Sequence, residues 1–290
     1  MPDMPGQSEW INPIGGLGDS LMLSGVLKQV IEHQPSRRFR LVRRTRYQGI
    51  LAGHPAIEEI GFPPPDATIV RTDYWSREEL GSGDRRAFQI LARMFGLPTP
   101  VEERLYFPGG FAAAGSLENM IPWNRSCVVL IAPSSDAPRK MMPLHVWIDL
   151  VQLLRKEGLF VLQLGQHQDT HIKGAYSLLG VTSPAQAIGL ACRCSAIVTV
   201  DNFFVHVAHL VGVPADVVWG PTDPHVYGYP EQIHLKGSRE YCQEREHCLG
   251  PKHPDHYFLP CPMEARHCLN TILPAQLTSA IENLLQRSGS

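Results

Sequence analysis

Ile197-Val198-Thr199-Val200-Asp201-Asn202 is an apolar strand that ends in two polar residues, and its surroundings decide the fold. A helix carrying His206 follows directly, Phe203 to Val211, closed by Gly212. Then come a second apolar strand, Ala215 to Trp219, and the turn Gly220-Pro221-Thr222-Asp223-Pro224. Strands alternating with helices build a parallel sheet, because parallel neighbours need a long crossover and a helix is the usual one. Upstream, Cys127 to Ala132 is a continuous apolar run, as expected of a strand buried on both faces. Leu144 to Lys156 reads as an amphipathic helix ended by Gly158, and Leu159 to Leu164 as the next strand, closed by Gly165. Pro184 to Cys194 is a helix with Thr182 or Ser183 as cap and Pro184 in its first turn. Pro274 to Leu285 is a terminal helix.

The first part of the chain repeats the theme less cleanly. A strand at Glu9 to Pro13 runs into Gly15-Gly16-Leu17-Gly18-Asp19-Ser20, at the mouth of a helix spanning about Asp19 to His33. The apolar positions Leu21, Leu23, Val26, Leu27, Val30 and Ile31 recur at helical spacing, with Asp19 or Ser20 as N-cap. Strands follow at Phe39 to Val42, Ala56 to Ile60 and Ala67 to Val70, with short helix at Tyr47 to Ala52 and a helix at Arg85 to Phe95. Residues 97–125 are rich in Gly, Pro and Ala and read as a crossover. The expected fold is α/β, with two Rossmann-like domains at 1–125 and 126–290 and a cleft between them.

Bulk properties narrow the function. A chain of 290 residues can hold two real cores, and 43% apolar against 19% charged residues excludes disorder. A formal net charge of -2 argues against a nucleic-acid partner held by bulk electrostatics. Arg37, Arg38, Arg40, Arg43, Arg44 and Arg46 form a local exception, either a solvated strand end or a basic rim for an anionic acceptor. No stretch has the form of a signal peptide or a membrane span, so a cytoplasmic protein is expected, with peripheral membrane contact left open.

Turns at strand ends present free backbone N–H groups and the positive end of a helix dipole, which suit an anion. Gly15-Gly16-Leu17-Gly18 lacks the dinucleotide spacing G-x-G-x-x-G and the G-K-[ST] of a P-loop. Asp19 is either an N-cap or a cleft carboxylate able to act as general base. Ser134, Ser135 and Asp136 follow a buried strand and Lys140 precedes the next helix. Hydroxyls and a cation there suit a diphosphate, against the plainer reading of Lys140 as a surface lysine. Asp201, Asn202 and His206 could complete that site; alone, His206 is an ordinary helix histidine. Cys242, Cys248, Cys261 and Cys268 lie in one loop-rich stretch with His247, His253, His256 and His267 nearby. They are read either as a structural Fe or Zn site or as free and partly buried thiols.

Taken in order, four segments resemble glycosyltransferase family 9, the bacterial ADP-heptose:lipopolysaccharide heptosyltransferases. They are Gly16-Leu17-Gly18-Asp19 with Leu21, Leu23 and Leu27; Lys140-Met141-Met142-Pro143 with Trp147; Thr182-Ser183-Pro184-Ala185 through Ile197 to Asp201; and Gly212-Val213-Pro214 with Gly220 to Pro224. The resemblance implies a GT-B architecture, two Rossmann-like domains facing across a cleft, with the acceptor on the first and the nucleotide-sugar donor on the second. It implies inverting chemistry with no catalytic metal. Asp19 would take the acceptor proton and Lys140 would neutralise the departing diphosphate. Gly16, Gly18, Ser134, Ser135, Asp136, Gly165, Gln166, Asp201, Asn202, Phe203 and His206 would bind donor, and Thr182 would line the adenine pocket. Iron-binding forms occur among the family's relatives, so a metal at the four cysteines would pin the tail. Asn202-Phe203 stands where the family has Thr-Gly, and Gly165-Gln166-His167-Gln168 lacks the family's ribose-holding glutamate.

The resulting expectation is an inverting transfer of a sugar, heptose first, from an ADP-sugar to an acceptor hydroxyl on lipopolysaccharide, a protein or a small molecule. The alternatives are a GT-B-type nucleotide-sugar epimerase and a non-catalytic nucleotide- or metal-binding module.

Overall fold

The computed structural model describes residues 9–43, 48–77, 86–111, 115–123, 127–238, 240, 242, 248, 257–263 and 268–288. They fall into two compact units, Met1–Gly110 and Phe111–Ser290.

The first unit is a four-stranded parallel sheet. Its strands are β1 (Glu9–Asn12), β2 (Phe39–Val42), β3 (Ile57–Gly61) and β4 (Ile69–Arg71), in spatial order β3-β2-β1-β4. Helix α1 (Leu17–His33) links β1 to β2, and α2 (Ala87–Met94) packs on α1. From Ser20 to Leu27 every residue of α1 is buried, so its stripe of apolar residues widens to nearly the whole circumference. α1 starts two residues before the expected Asp19. Gly16 is the N-cap and Asp19 falls in the third helical position, where its carboxylate turns back to the cap. The expected helix at Tyr47 to Ala52 is a single 3-10 turn, Gln48–Ile50.

The second unit is a six-stranded parallel sheet, order β10-β9-β8-β5-β6-β7. Its strands are β5 (Val128–Ala132), β6 (Phe160–Gln163), β7 (Tyr176–Ser177), β8 (Ala196–Val200), β9 (Ala215–Trp219) and β10 (Ile233–Lys236). The central three, β5, β8 and β9, are buried at every position, which is why they read as unbroken apolar runs. Helices α3 (Leu144–Lys156), α4 (Pro184–Ala191), α5 (Phe203–Val211), α6 (Pro224–Tyr227) and α7 (Pro274–Ser288) complete the layers. Val146, Trp147, Leu150, Val151 and Leu154 of α3 meet Leu277 and Ile281 of α7 over Val198, Val200 and Val218 of the sheet. Each such fully buried side chain contributes roughly 1.5–3 kcal/mol of apolar burial. The expected α4 ends earlier than Cys194 because Ala191 is its last helical residue and Cys192 its cap. β7, α6 and β10 were not expected: β7 and α6 are too short to show a period, and β10 is half exposed at the sheet edge.

Both sheets carry a switch point, where the winding direction reverses. In the first unit it lies between β1 and β4, in the second between β5 and β8. In open parallel sheets the loops at the carboxyl ends of strands flanking such a point form the ligand crevice.

Candidate functional site

At the first switch point β1 ends at Asn12 and the chain turns through Gly15 into α1. Gly15 has φ +114°, and a methyl group there would overlap the Asp19 carboxylate. Glycine is therefore required by both backbone and space. Asp19 uses both its oxygens. The Gly16 N–H donates to Oδ2 at 2.6 Å, and the Tyr74 hydroxyl donates to Oδ1 at 2.6 Å. Gly18 lies in the first turn of α1. Tyr74 comes from a 3-10 turn, Tyr74–Ser76, directly after β4. Thr72 ties the two loops together: its Oγ1 accepts from the Ile14 N–H at 2.8 Å, and its carbonyl accepts from the Tyr74 N–H at 2.8 Å. An open hollow of about 450 Å³ runs along β4 and this turn, lined by Ile69, Val70, Arg71, Asp73, Ser76 and Arg77.

The arginine series of β2 engages its own unit. Arg37 pairs with Glu9 at 2.8 Å, Arg40 with Glu59 at 3.5 Å, Arg38 bonds the Pro35 carbonyl and Arg43 the Ile60 carbonyl. That favours the strand-end reading for these four. Arg44 and Arg46 lie outside the described residues.

At the second switch point the loop after β5 carries Ser134, Ser135, Asp136 and, in a 3-10 turn, Lys140. The loop after β8 carries Asp201 and Asn202. Lys140 Nζ sits 2.8 Å from Asp201 Oδ2, with side-chain exposures of 14% and 8%. Burial works against the ammonium, but the Asp201 carboxylate beside it, with Tyr257 and Tyr227 further off, outweighs that and raises the lysine above its ordinary range. The cation is thus fixed at any working pH. Tyr257 also lays its ring 5.6 Å from Lys140 Nζ.

Asn202 locks the neighbouring backbone. Its Nδ2 donates to the carbonyls of Ala132 and Ser134, while its Oδ1 accepts from the Phe204 N–H and the Thr199 hydroxyl. It is the N-cap of α5, a task a threonine could also meet. Phe203 is half buried and packs edge-on against Phe204. His206 is buried; burial pushes it down to about 4, so it is neutral at working pH, and its Nδ1 lies 2.8 Å from the Tyr229 hydroxyl. It brings no charge to an anion and stands behind the Lys140–Asp201 pair as a packed, hydrogen-bonded ring.

The loop after β6 completes this edge. The Gln166 N–H donates to Asp169 and the Gln166 side-chain amide to Asp136 at 2.9 Å. A methyl at Gly165 would overlap Asp169. Burial raises the Asp169 carboxyl, opposed by the Gln166 N–H and the Ser134 hydroxyl. Ser135 accepts from the Ala137 N–H at 3.3 Å. Thr182 is half buried, just ahead of the Ser183 cap of α4.

No disulfide joins Cys242, Cys248, Cys261 and Cys268 to one another, and Cys248 and Cys268 are buried. Among the described residues no three His, Cys, Asp or Glu side chains gather to hold a metal, so the described part of the cysteine set does not fit a metal centre by itself. His247, His253, His256 and His267 lie outside the described residues. Two residues that sequence reasoning missed stand out. Tyr74 follows a weak strand with no periodic signal. Arg139 looks like a surface partner of Lys140 but is buried, and bonds the carbonyls of Cys248 at 3.0 Å and Leu259 at 3.2 Å. No helix among the described residues is long and apolar enough to cross a membrane.

Comparison with known proteins places this geometry in a family. The model of glycosyltransferase family 9 (heptosyltransferase) matches residues 85–252, more than half of the chain. Lipooligosaccharide heptosyltransferase 2 of Haemophilus influenzae is 27% identical over 111 residues, 33% of this chain and 32% of that protein. The match thus spans about a third of that curated relative. Among solved structures, E. coli ADP-heptose LPS heptosyltransferase II superposes with a TM-score of 0.69 at 16% identity, over 98% of this chain and 100% of the other. TibC, an iron-containing dodecameric glycosyltransferase of enterotoxigenic E. coli, gives 0.71 at 19% identity, over 98% and 76%. These likenesses establish a GT-B-type α/β fold, and the family match establishes membership: the chain belongs to glycosyltransferase family 9, the heptosyltransferases.

Proposed function

We propose that this protein is an inverting sugar transferase that moves a heptose from an ADP-sugar to an acceptor hydroxyl. The observation that carries most weight is the Lys140–Asp201 pair at the switch point of the second sheet. When the bond from the anomeric carbon to the diphosphate breaks, both electrons leave with the diphosphate, and negative charge grows on its oxygens. A cation already charged, oriented by Asp201 and partly withdrawn from water can stabilise that charge without reorganising. Ser134, Ser135, Asp136, Gly165 and Gln166 lie on the neighbouring loops and would hold the donor, with Thr182 toward its base. Gly16, Gly18 and Asp19 stand at the helix mouth of the first unit. Asp19 would accept the acceptor's hydroxyl proton as the new carbon–oxygen bond forms on the face opposite the leaving group.

The donor follows from likeness. TibC has been solved with ADP-D-beta-D-heptose and the E. coli heptosyltransferase WaaC with ADP. For this chain an ADP-sugar donor and a lipopolysaccharide acceptor are therefore proposed, in the cytoplasm, with an iron or zinc at the cysteines a separate proposal for a metal assay on the purified protein.

The test is a thermal-shift comparison of ADP-heptose with GDP-, UDP- and dTDP-sugars, followed by transfer onto heptose-free lipooligosaccharide. Stabilisation by ADP-heptose and a product of inverted anomeric configuration are expected. Release of free sugar and nucleotide without an acceptor would instead indicate an epimerase-like or hydrolytic enzyme. No response to any nucleotide sugar would leave a binding module of another kind. Asp19→Asn should lower turnover by about 10²–10⁴ with ADP binding retained.

A further inference from the structure

We propose that Tyr74 is a positioning residue for the reaction: it holds the Asp19 carboxylate in the orientation and ionisation state from which it takes the acceptor proton. The proposal rests on Asp19 being that base.

The geometry is specific. A carboxylate on the first turn of a helix ordinarily has one local partner, here the Gly16 N–H on Oδ2. Left with that bond alone, the group can rotate about its terminal torsion, which is broad and roughly two-fold. Tyr74 removes that freedom by donating to Oδ1 from the other side of the switch point, 55 residues away in sequence. Its own position is well determined. Tyr74 is 3% exposed, its ring meets Trp75 edge-on at 5.1 Å, and its N–H is bonded to Thr72, whose hydroxyl in turn accepts from Ile14 in the glycine loop. The loops after β1 and β4 are thereby clamped to one another, and the carboxylate lies between them. Each Asp19 oxygen accepts one of these two bonds, so the carboxylate is held from both sides.

The charged groups nearest on the same turn are Arg71 and Asp73, paired with each other at 3.1 Å, with Arg77 beyond them. On α1 the next charged residues are Lys28 and Glu32, themselves an ion pair. The phenol contacts the carboxylate directly. Its hydrogen bond favours the carboxylate over the carboxylic acid, so it keeps the base ready at lower pH as well as aimed. The proton taken from the acceptor ends on Asp19, the phenol keeps its own, and the electron pair of the broken glycosyl bond leaves with the nucleotide.

The test uses the full chain with ADP-heptose and heptose-free lipooligosaccharide, comparing wild type, Tyr74→Phe and Asp19→Asn across pH. For Tyr74→Phe, kcat should fall about 10-fold with the donor KM unchanged, since a hydrogen bond to a charged group is lost but the ring is kept. The acidic limb of kcat/KM should move up by about one pH unit. 3-Fluorotyrosine at position 74 keeps the shape and makes the phenol a stronger donor, so it should move the limb down; it also serves if Tyr74→Phe does not fold. A Tyr74→Phe or fluorotyrosine profile that overlays wild type, while Asp19→Asn is inactive, overturns the role of Tyr74 and leaves the base assignment standing. An active Asp19→Asn overturns the base assignment itself.

Discussion

The two switch points solve the same problem with different chemistry. In the first unit a carboxylate, Asp19, is held by neutral donors, a backbone N–H and a phenol. In the second, a carboxylate, Asp201, is held against an ammonium. Under the proposed mechanism, neutral donors would steady Asp19 while leaving it able to accept a proton. An ion pair fixes the charge on Lys140 and commits Asp201 to the lysine. A base suits the first arrangement and a counter-charge for a leaving group the second.

The largest expected effect on stability comes from breaking the charged pair. Lys140→Met should lower turnover by about 10²–10³, the loss typical of one preorganised stabilising group. It should also destabilise the second unit, because Asp201 is left buried with its partner gone. Removing one member of a fully buried pair costs about 3–5 kcal/mol, reduced here by the part of Lys140 that still meets water. Tyr74→Phe, by contrast, should cost only about 1.4 kcal/mol, the stability equivalent of a one-unit effect on Asp19. Equal melting temperatures for Lys140→Met and wild type would erase the distinction between the two sites.

A second contrast lies deeper in the sheets. Asp216, on β9, faces the same side as Val218 and is fully buried, with neither carboxylate oxygen bonded among the described residues. Burial pushes it up to about 8. Its folded value lies above its unfolded one, so the folded protein holds the proton more tightly. The associated stability is fully present below about pH 4 and is lost as the pH rises to about 8. Within that window this group alone imposes a slope of about 1.4 kcal/mol per pH unit. Denaturant melts from pH 5 to pH 9 should show Asp216→Asn with a flatter profile than wild type; parallel profiles would refute this.

The smallest test sharpens the glycine loop. Gly15→Ala meets both a positive φ and the Asp19 carboxylate, so it should disturb the proposed base and cut turnover at least 10-fold. Gly16→Ala has only an ordinary contact at 3.7 Å and extended backbone, and should cost under about 1 kcal/mol of helix capping. Similar losses from the two would mean the loop's shape is not set by Asp19.

Much of this was legible before any coordinates. The sequence bounds α3, α5 and β9 to the residue, because continuous burial and clear helical periods leave little choice of register. Asp19, Lys140 and Asp201 stood out because they follow apolar runs, where a polar residue at a strand end has a crevice to face. What stayed hidden depends on contacts distant in sequence. The N-cap of α1 was misplaced because Asp19 acts from the third helical position rather than the cap. Tyr74 carries no local pattern and becomes meaningful only when β4 pairs with β1. The pairing of Lys140 with Asp201 and the neutrality of His206 likewise follow from how β5 and β8 lie side by side.

Arg139 leaves one more consequence. It reaches the cysteine-rich segment through two main-chain oxygens, those of Cys248 and Leu259. A backbone carbonyl, unlike a thiol, is not oxidised or reduced under biological conditions, and every residue carries one. This tether therefore depends on the path of the main chain, and not on which sulfur atoms the segment happens to carry.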